Sequence, residues 1–408
     1  MLTYQYVARN PQTGQQVKAT VEADSEAAAA KLIGGQGLVA TDIRLDGSGA
    51  GNVFARFNRV RAKDRVLFSR QLSTLINAGL PLLQALRSVN QQTVSKPLKV
   101  VVTQIIGDVE GGSSLAVAMG KHPRVFNQLY LSLVAAGEAS GTLDAALDRV
   151  ATQQEKDADL NGKIRGAMMY PAVVLLVMAG VVGFMVVRVL PEVKNIYAGI
   201  PGTTLPLVTR VLLAISDFII HDWWIALMVL VVLIVGGSRY ARTGPGKDII
   251  DMVKMKAWPF GPLFMKLYMA RFARTGATLV ASGVPLLQML SITASAVSNV
   301  HIQRSINRAS EKVKGGKGLG ESIENDPNFL PLVPSMIKIG EQSGAIEQMM
   351  AKIADYYEKE VDNEVANISA LIEPVLMVIL GVIAFTIVAA ILLPIYGLTN
   401  NSTFLNNV

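Results

Sequence analysis

Hydrophobic positions fall along this chain in three distinct regimes. Near the start, Tyr4-Gln5-Tyr6-Val7 and the alternation of Val17, Ala19, Val21 and Ala23 have the period of strands, with Pro11-Gln12-Thr13-Gly14 as the turn between them. Asp24-Ser25 is placed to cap a helix through Ile33, stopped by Gly34-Gly35, and Leu38 to Leu45 reads as a further strand. Through most of the chain the spacing is helical instead. Phe68, Leu72, Leu75 and Ile76 share one face, as do Leu98, Val101, Val102, Ile105, Ile106 and Val109 after Ser95 and Pro97, and Leu143, Ala146, Leu147 and Val150 after Thr142. The third regime is continuous: Met168–Leu190, Trp223–Ser238 and Leu371–Leu393 are almost uninterrupted apolar runs, with Arg188 and Glu373 as their only charges. A helix that spans a bilayer needs about 20 mostly apolar residues. The outer two runs have that length, and the middle one reaches it through Arg239-Tyr240, whose long side chains extend to the interface.

Composition agrees with a membrane chain. Apolar residues make up 51% of it and charged ones 17%, against about 25% charged in ordinary soluble domains. This excludes a disordered chain, and a formal +7 over 408 residues is too thin for a nucleic-acid binder. Cysteine is absent, which removes disulfides, thiolate metal sites and cysteine nucleophiles. The start, MLTYQYVARN, lacks the apolar core of a signal peptide. Lys163 and Arg165 precede the first run, Arg239, Arg242 and Lys247 follow the second, and no Lys or Arg occurs after Lys359. By the positive-inside rule the N-terminus is cytoplasmic, 191–222 is a short outer loop, and the tail from Pro394 lies outside.

Beyond a flexible Gly-rich linker the chain repeats itself. Phe68-Ser69-Arg70-Gln71 and Gly79-Leu80-Pro81-Leu82-Leu83-Gln84 recur 204 residues later as Phe272-Ala273-Arg274-Thr275 and Gly283-Val284-Pro285-Leu286-Leu287-Gln288. Gly137-Glu138-Ala139-Ser140-Gly141 recurs as Gly340-Glu341-Gln342-Ser343-Gly344 with the offset reduced to 203, which persists through Pro171/Pro374 and Pro191/Pro394. The predicted fold class is therefore mainly α and integral to the membrane. A duplicated cytoplasmic helical-bundle domain carries three transmembrane helices and a small N-terminal α/β domain. The boundaries are 1–45 for the α/β domain, 46–60 for the linker and 61–167 for the first helical domain. Next come 168–190 for the first span, 191–222 for the outer loop and 223–240 for the second span. The second helical domain occupies 241–370, the third span 371–393 and the outer tail 394–408. The last helix of each domain is expected to run nearly unbroken into its span.

Candidate chemistry is sparse. His122, His221 and His301 lie far apart; Asp217-x-x-x-His221-Asp222 has the spacing to put a carboxylate and an imidazole on one helix face, but beside Trp223-Trp224 it reads rather as a solvated interfacial loop. Lys121, Lys163, Lys247 and Lys317 follow glycine, but none precedes Ser or Thr, so there is no phosphate loop. A transport pathway needs polar groups at membrane depth, and Arg188 and Glu373 lie near run ends. Two features keep two readings each. Arg56, Arg59, Arg61, Lys63, Arg65 and Arg70 face either anionic lipid or an acidic partner, or form a solvated helix face. In the Gly-Glu-x-Ser-Gly loops, Gly141 and Gly344 suit the left-handed end of a helix, while Glu138 and Glu341 are candidates to bind a partner or a cation.

Two copies of Phe-x-Arg…Gly-x-Pro-Leu, each followed by Gly-Glu-x-Ser-Gly and a Pro-led apolar run, resemble the inner-membrane platform proteins of type II secretion and type IV pili, the PilC/GspF family. Lys163-Ile164-Arg165-Gly166-Ala167-Met168-Met169-Tyr170-Pro171 is similar to that family's first membrane entry, and the second copy departs there, reading Ala370-Leu371-Ile372-Glu373-Pro374. The resemblance implies a non-enzymatic scaffold without cofactors. Its implied partners are a hexameric secretion ATPase, pilins or pseudopilins, other inner-membrane assembly proteins, the lipid bilayer and further copies of itself. Arg70, Gly79, Pro81, Glu138, Gly141, Pro171, Arg274, Gly283, Pro285, Glu341, Gly344, Glu373 and Pro374 are the structural or partner-binding candidates.

Overall fold

The computed structural model describes residues 2–9, 16–23, 26–35, 37–45, 60–189, 191–192, 207–241 and 243–399. The Pro11–Gly14 turn, the Asp24-Ser25 cap, Arg56 and Arg59, most of the linker and the end of the tail lie outside them. By its contacts the chain divides into two compact units, residues 1–158 with 274–296, and residues 159–273 with 297–408.

The first unit begins with a three-stranded antiparallel sheet in the order β2-β1-β3, where β1 is Leu2–Arg9, β2 Gln16–Ala23 and β3 Val39–Leu45. Helix α1 (Glu26–Gly35) covers it through Ala29 and Ile33, packed with Tyr4, Tyr6, Ala8 and Ala23. The helix runs through Gly34-Gly35 rather than stopping there. It is closed by Gly37, whose φ of +72° and bond to the Gly34 carbonyl make the turn.

A helical bundle follows: α2 (Ala62–Asn77), α3 (Leu82–Gln92), α4 (Lys96–Glu110), α5 (Leu115–Gly120), α6 (Gln128–Ser140) and the start of α7 (Leu143–Ala167). Its core takes Phe68 and Leu72 from α2, Leu98, Val102 and Ile105 from α4, and Leu133 and Leu147 from α6 and α7, all within 1% of full burial. Leu75 and Ile76 sit at the margin of that face and are half-buried. Phe126 stands between Phe68 and Tyr130, with ring centroids 6.0 and 4.9 Å away. Burial pushes the Tyr130 phenol up to about 12, although Ser69 Oγ donates to it over 3.2 Å.

In the second unit α7 continues, followed after Met168 by α8 (Met169–Phe184) and a π-helical turn, Met185–Val189. Then come α9 (Leu207–His221), α10 (Trp223–Tyr240), α11 (Gly244–Lys256) and α12 (Phe260–Ala281), whose end and the next helix, α13 (Leu286–Ala296), belong to the first unit. The rest is α14 (Val300–Lys314), α15 (Leu319–Ile323), α16 (Leu332–Ser343) and α17 (Ile346–Thr399). Helix α17 is one piece of 54 residues, about 80 Å long.

Two described helical stretches, Leu143–Val189 and Ile346–Ala389, are long and apolar enough to cross a membrane. A third crossing is counted only if α10 and α11, bent by 98°, are taken as one span. Part of the expected outer loop is helical: α9 packs against α17 and the π-helical turn, and buried Ser216 donates to the Val186 carbonyl over 2.6 Å. The hydroxyl of Ser216 thus ties α9 to the π-helical turn.

Candidate functional site

The Gly-Glu-x-Ser-Gly segments close α6 and α16. Gly141 and Gly344 are left-handed, at φ of +71° and +69°, where a side chain is strained. Thr142 N then donates to the Gly137 carbonyl, and Ala345 N to that of Gly340. The hydroxyl of Thr142 lies 2.7 Å from that of Ser140 rather than capping α7. Both inner glycines mark close helix approaches. A Cβ on Gly137 would stand 2.3 Å from Ala146 Cβ, and one on Gly340 3.0 Å from Ile346 Cα.

The glutamates of these segments turn toward the short helices. Glu138 accepts from Leu115 N at 2.5 Å and Ala116 N at 2.9 Å; Glu341 accepts from Leu319 N, and from Gly320 N at 3.0 Å. The first N–H groups of a helix have no partner within it, and a carboxylate there satisfies them and meets the positive end of the helix dipole. Each acid thus ties the end of one helix to the start of another. Among the described residues no group of three or more His, Cys, Asp or Glu side chains is placed to hold a metal.

Arg70 binds along α7. Its Nε and Nη2 reach Glu155 at 2.7 and 2.5 Å, Nη1 reaches Asp148 at 2.7 Å, and Nη2 also donates to Thr152 at 3.1 Å. The hydrogen bond to Glu155, more than any other partner, holds the guanidinium protonated, and the same bond depresses Glu155 below the ordinary carboxylate range. Arg65 donates to Gln154 and to the Val125 carbonyl. These two members of the basic cluster therefore turn inward onto the bundle. In the second copy Phe272 meets Phe329 edge-on at 5.2 Å, and the Arg274 carbonyl accepts from Thr278.

Where α7, α12 and α17 converge, Leu160, Leu263, Leu267, Val361 and Ile368 form a separate apolar core. Ion pairs flank it. Lys163 contacts Asp362 at 2.9 Å and Asp159 at 3.0 Å, which raises its pKa, chiefly through the Asp362 bond. Lys266 contacts Glu364 at 2.6 Å and Glu360 at 2.9 Å. Desolvation pulls the Lys266 ammonium down, but the two glutamates outweigh it and raise it overall. Nothing in the periodicity announced this junction, because its partners are remote in sequence.

The remaining candidates are spread along the chain. Gly79 and Gly283 are left-handed corners, at φ of +85° and +75°, with Pro81 and Pro285 exposed after them. Pro171 is buried in the first turn of α8, where its missing N–H costs no helix bond. Pro374 and Glu373 are exposed inside unbroken α17. The histidines stay separate: His221 Nδ1 lies 3.2 Å from the Asp217 carbonyl, and His301 Nε2 3.0 Å from that of Asp248. His122 is held below the ordinary histidine range, first by desolvation.

The repeat and the N-terminal sheet each match a family model. The model for type II secretion system protein F matches residues 68–191 and again 272–394, and that for the N-terminal domain of the same protein matches 1–44. The chain belongs to the type II secretion system protein F family. Its relatives include the type IV pilus assembly protein PilC of Thermus thermophilus, 40% identical over 97% of this chain and 98% of that protein. PilC of Pseudomonas aeruginosa is 36% identical over 84% and 91%. The type II secretion system protein F of Pseudomonas aeruginosa is 34% identical over 98% and 99%. Family membership and the two long apolar helices together make this a membrane protein with an internally repeated family domain.

Proposed function

We propose that the chain is the inner-membrane platform of a type IV pilus assembly machine, coupling a hexameric cytoplasmic ATPase to the insertion or extraction of pilins. The observation that carries this is the likeness to PilC proteins, 40% identical over almost the whole of both chains in one case. The helices support it physically. Each copy of the repeat sends a helix from a charged bundle into an apolar stretch, and such a helix transmits force along its axis. In this reading the bundles engage the ATPase, the spanning helices engage pilin segments in the bilayer, and the chain is a scaffold that catalyses nothing. The N-terminus and both bundles lie inside, three helices cross, and the residues from Pro394 lie outside, in keeping with Lys163 and Arg165 ahead of the first run and no Lys or Arg after Lys359.

The test is co-purification of the detergent-solubilised protein with candidate assembly ATPases, together with piliation of a deletion strain. Association and loss of pili are expected; no association with normal piliation refutes the reading. A second reading, a type II secretion platform moving pseudopilins, is favoured by the 34% identity to protein F over 98% of the chain. It predicts a secretion defect with pili intact. A small transporter would instead produce solute flux in proteoliposomes without any ATPase.

A further inference from the structure

The first unit contains one joint between the two copies of the repeat. Its acceptor is the first copy's α6 and α7, and its donor is the second copy's α12–α13 corner. Arg149 Nη1 donates to the Ala281 carbonyl at 2.7 Å and to Ser282 Oγ at 2.9 Å, which places a cation at the negative end of α12. Thr278 donates to Gln153, which is 3% exposed, and α13 packs on α6.

The duplication supplies each half of this joint once more, without its mate. Arg149 and Gln153 correspond to Lys352 and Tyr356 at the 203-residue offset, and Ala136 corresponds to Ile339. Lys352 has neither an ion pair nor a hydrogen bond among the described residues. Tyr356 is 48% exposed and Ile339 55%. Lys352 and Tyr356 lie one turn apart on α17, and an exposed tyrosine beside an unpaired lysine suits a contact, its ring supplying apolar area and its hydroxyl a polar end. The corner that matches Thr278–Gln288 is Thr74–Gln84. It has the same geometry: Gly79 and Gly283 both have positive φ, and Leu80 N and Val284 N close onto the Leu75 and Leu279 carbonyls. Thr74 and Asn77 are exposed there. Gln153 and Tyr356 each stand fifteen residues ahead of the apolar run that follows, from Met168 and from Leu371.

We propose that the Lys352–Tyr356–Ile339 face of the second copy receives the Thr74–Gln84 corner of another copy of this chain. Lys352 caps the carbonyl end of the other chain's α2, as Arg149 caps α12, and Tyr356 and Ile339 cover its Gly-x-Pro-Leu corner. The contact joins unlike surfaces, so each chain offers one face and one corner. It follows from the duplication and stands whether or not the chain engages an ATPase.

The absence of cysteine makes the test direct. Two full-length chains with different tags, one Tyr356→Cys and one Asn77→Cys, are co-expressed and treated in membranes with a short bismaleimide. A single chain carrying Gln153→Cys and Thr278→Cys reports the internal joint. The expected result is a mixed-tag dimer several-fold stronger than the dimer of either single variant, reduced several-fold by adding Lys352→Glu to the first chain. The proposal is overturned if the internal pair crosslinks while the mixed dimer is absent. It is also overturned if Tyr356→Cys pairs best with itself or with an unrelated membrane protein. Loss of ATPase co-purification leaves this result untouched, and loss of the crosslink leaves the platform reading untouched.

Discussion

Replacing Glu138 or Glu341 with alanine separates the two uses open to these acids. In the structure each carboxylate binds the first two N–H groups of a short helix, at Leu115–Ala116 and at Leu319–Gly320. A hydrogen bond to a charged group contributes about 1.5–3 kcal/mol when well buried. Both acids are partly exposed, so the pair of bonds is discounted to about 2 kcal/mol in total. The copies differ in what remains. Ser114 Oγ still accepts from Val117 N at 3.3 Å, whereas the second helix begins at Gly318, which has no side chain to cap it. Gly318 has a reason to be glycine, since a Cβ there would stand 2.9 Å from Glu341 Oε2. Glu341→Ala is therefore expected to destabilise more than Glu138→Ala, by about 1 kcal/mol, the typical worth of a side-chain cap. Thermal unfolding of the detergent-purified protein, followed by helical circular dichroism, reads both as a lowered Tm. A drop of a few degrees is expected, because about 1 kcal/mol shifts units of this size by about 2–4 °C. The same melts with calcium, magnesium or a chelator should coincide. A cation-dependent Tm in the wild type that disappears in either variant would refute the capping role.

Gly137→Ala should be more damaging than Gly340→Ala in the same assay. The first puts a methyl 2.3 Å from Ala146 Cβ, so a helix must move, whereas the second stands 3.0 Å from Ile346 Cα and 3.1 Å from Met349 Cβ, where small shifts relieve it. Overpacking of this kind costs about 1–3 kcal/mol, and equal Tm values for the two would contradict it. Arg70→Ala is expected to cost about 1 kcal/mol near neutral pH, since Asp148 and Glu155 are 48% and 41% exposed and solvent screens the pairs. Glu155 has its folded pKa depressed from 4.5, so its contribution is present above that value and fades as pH falls through the folded one. The Tm gap between wild type and variant should therefore close in acid; a gap that stays constant would sink the assignment.

The periodicity revealed the helices of the first bundle because each has a single buried face at helical spacing. Leu98, Val102, Ile105 and Ile106 are all in its core. The duplication was legible for the same reason that a repeat survives: both copies need a corner glycine, a left-handed helix end and an acid at the same places. Other features left no local signal. The Lys and Arg pattern that marks 191–222 as an outer loop says nothing of its secondary structure, and α9 within it is held by Leu213 and Ser216, buried against neighbours remote in sequence. The stop of α1 was misplaced because two consecutive glycines look like a terminator, yet the third, Gly37, takes the positive φ. The partners of Arg70 and Lys266 were illegible because they lie 85 and 98 residues away.

The two copies of the repeat differ in how each bundle meets its membrane segment, and this bears on force transmission. In the first copy α7 ends at Ala167 and α8 starts at Met169, with Pro171 in its first turn. In the second, α17 passes Pro374 without a break. Helical residues advance by about 100° each, so one residue inserted after Ala370 turns everything beyond it by that angle against the bundle. Four residues inserted there restore the facing to within about 40°. In the pilus-platform reading, with α17 transmitting movement as a rigid rod, the single insertion should abolish fibre assembly at normal protein levels, and the four-residue insertion should recover much of it. The same single insertion after Met168, beside an existing break, should be milder. Assembly scored by surface fibres, beside immunoblots of membrane fractions, measures all three. Normal assembly with the single insertion in α17 would show that bundle and span are not rigidly coupled, and the continuity of this helix would then have no mechanical role.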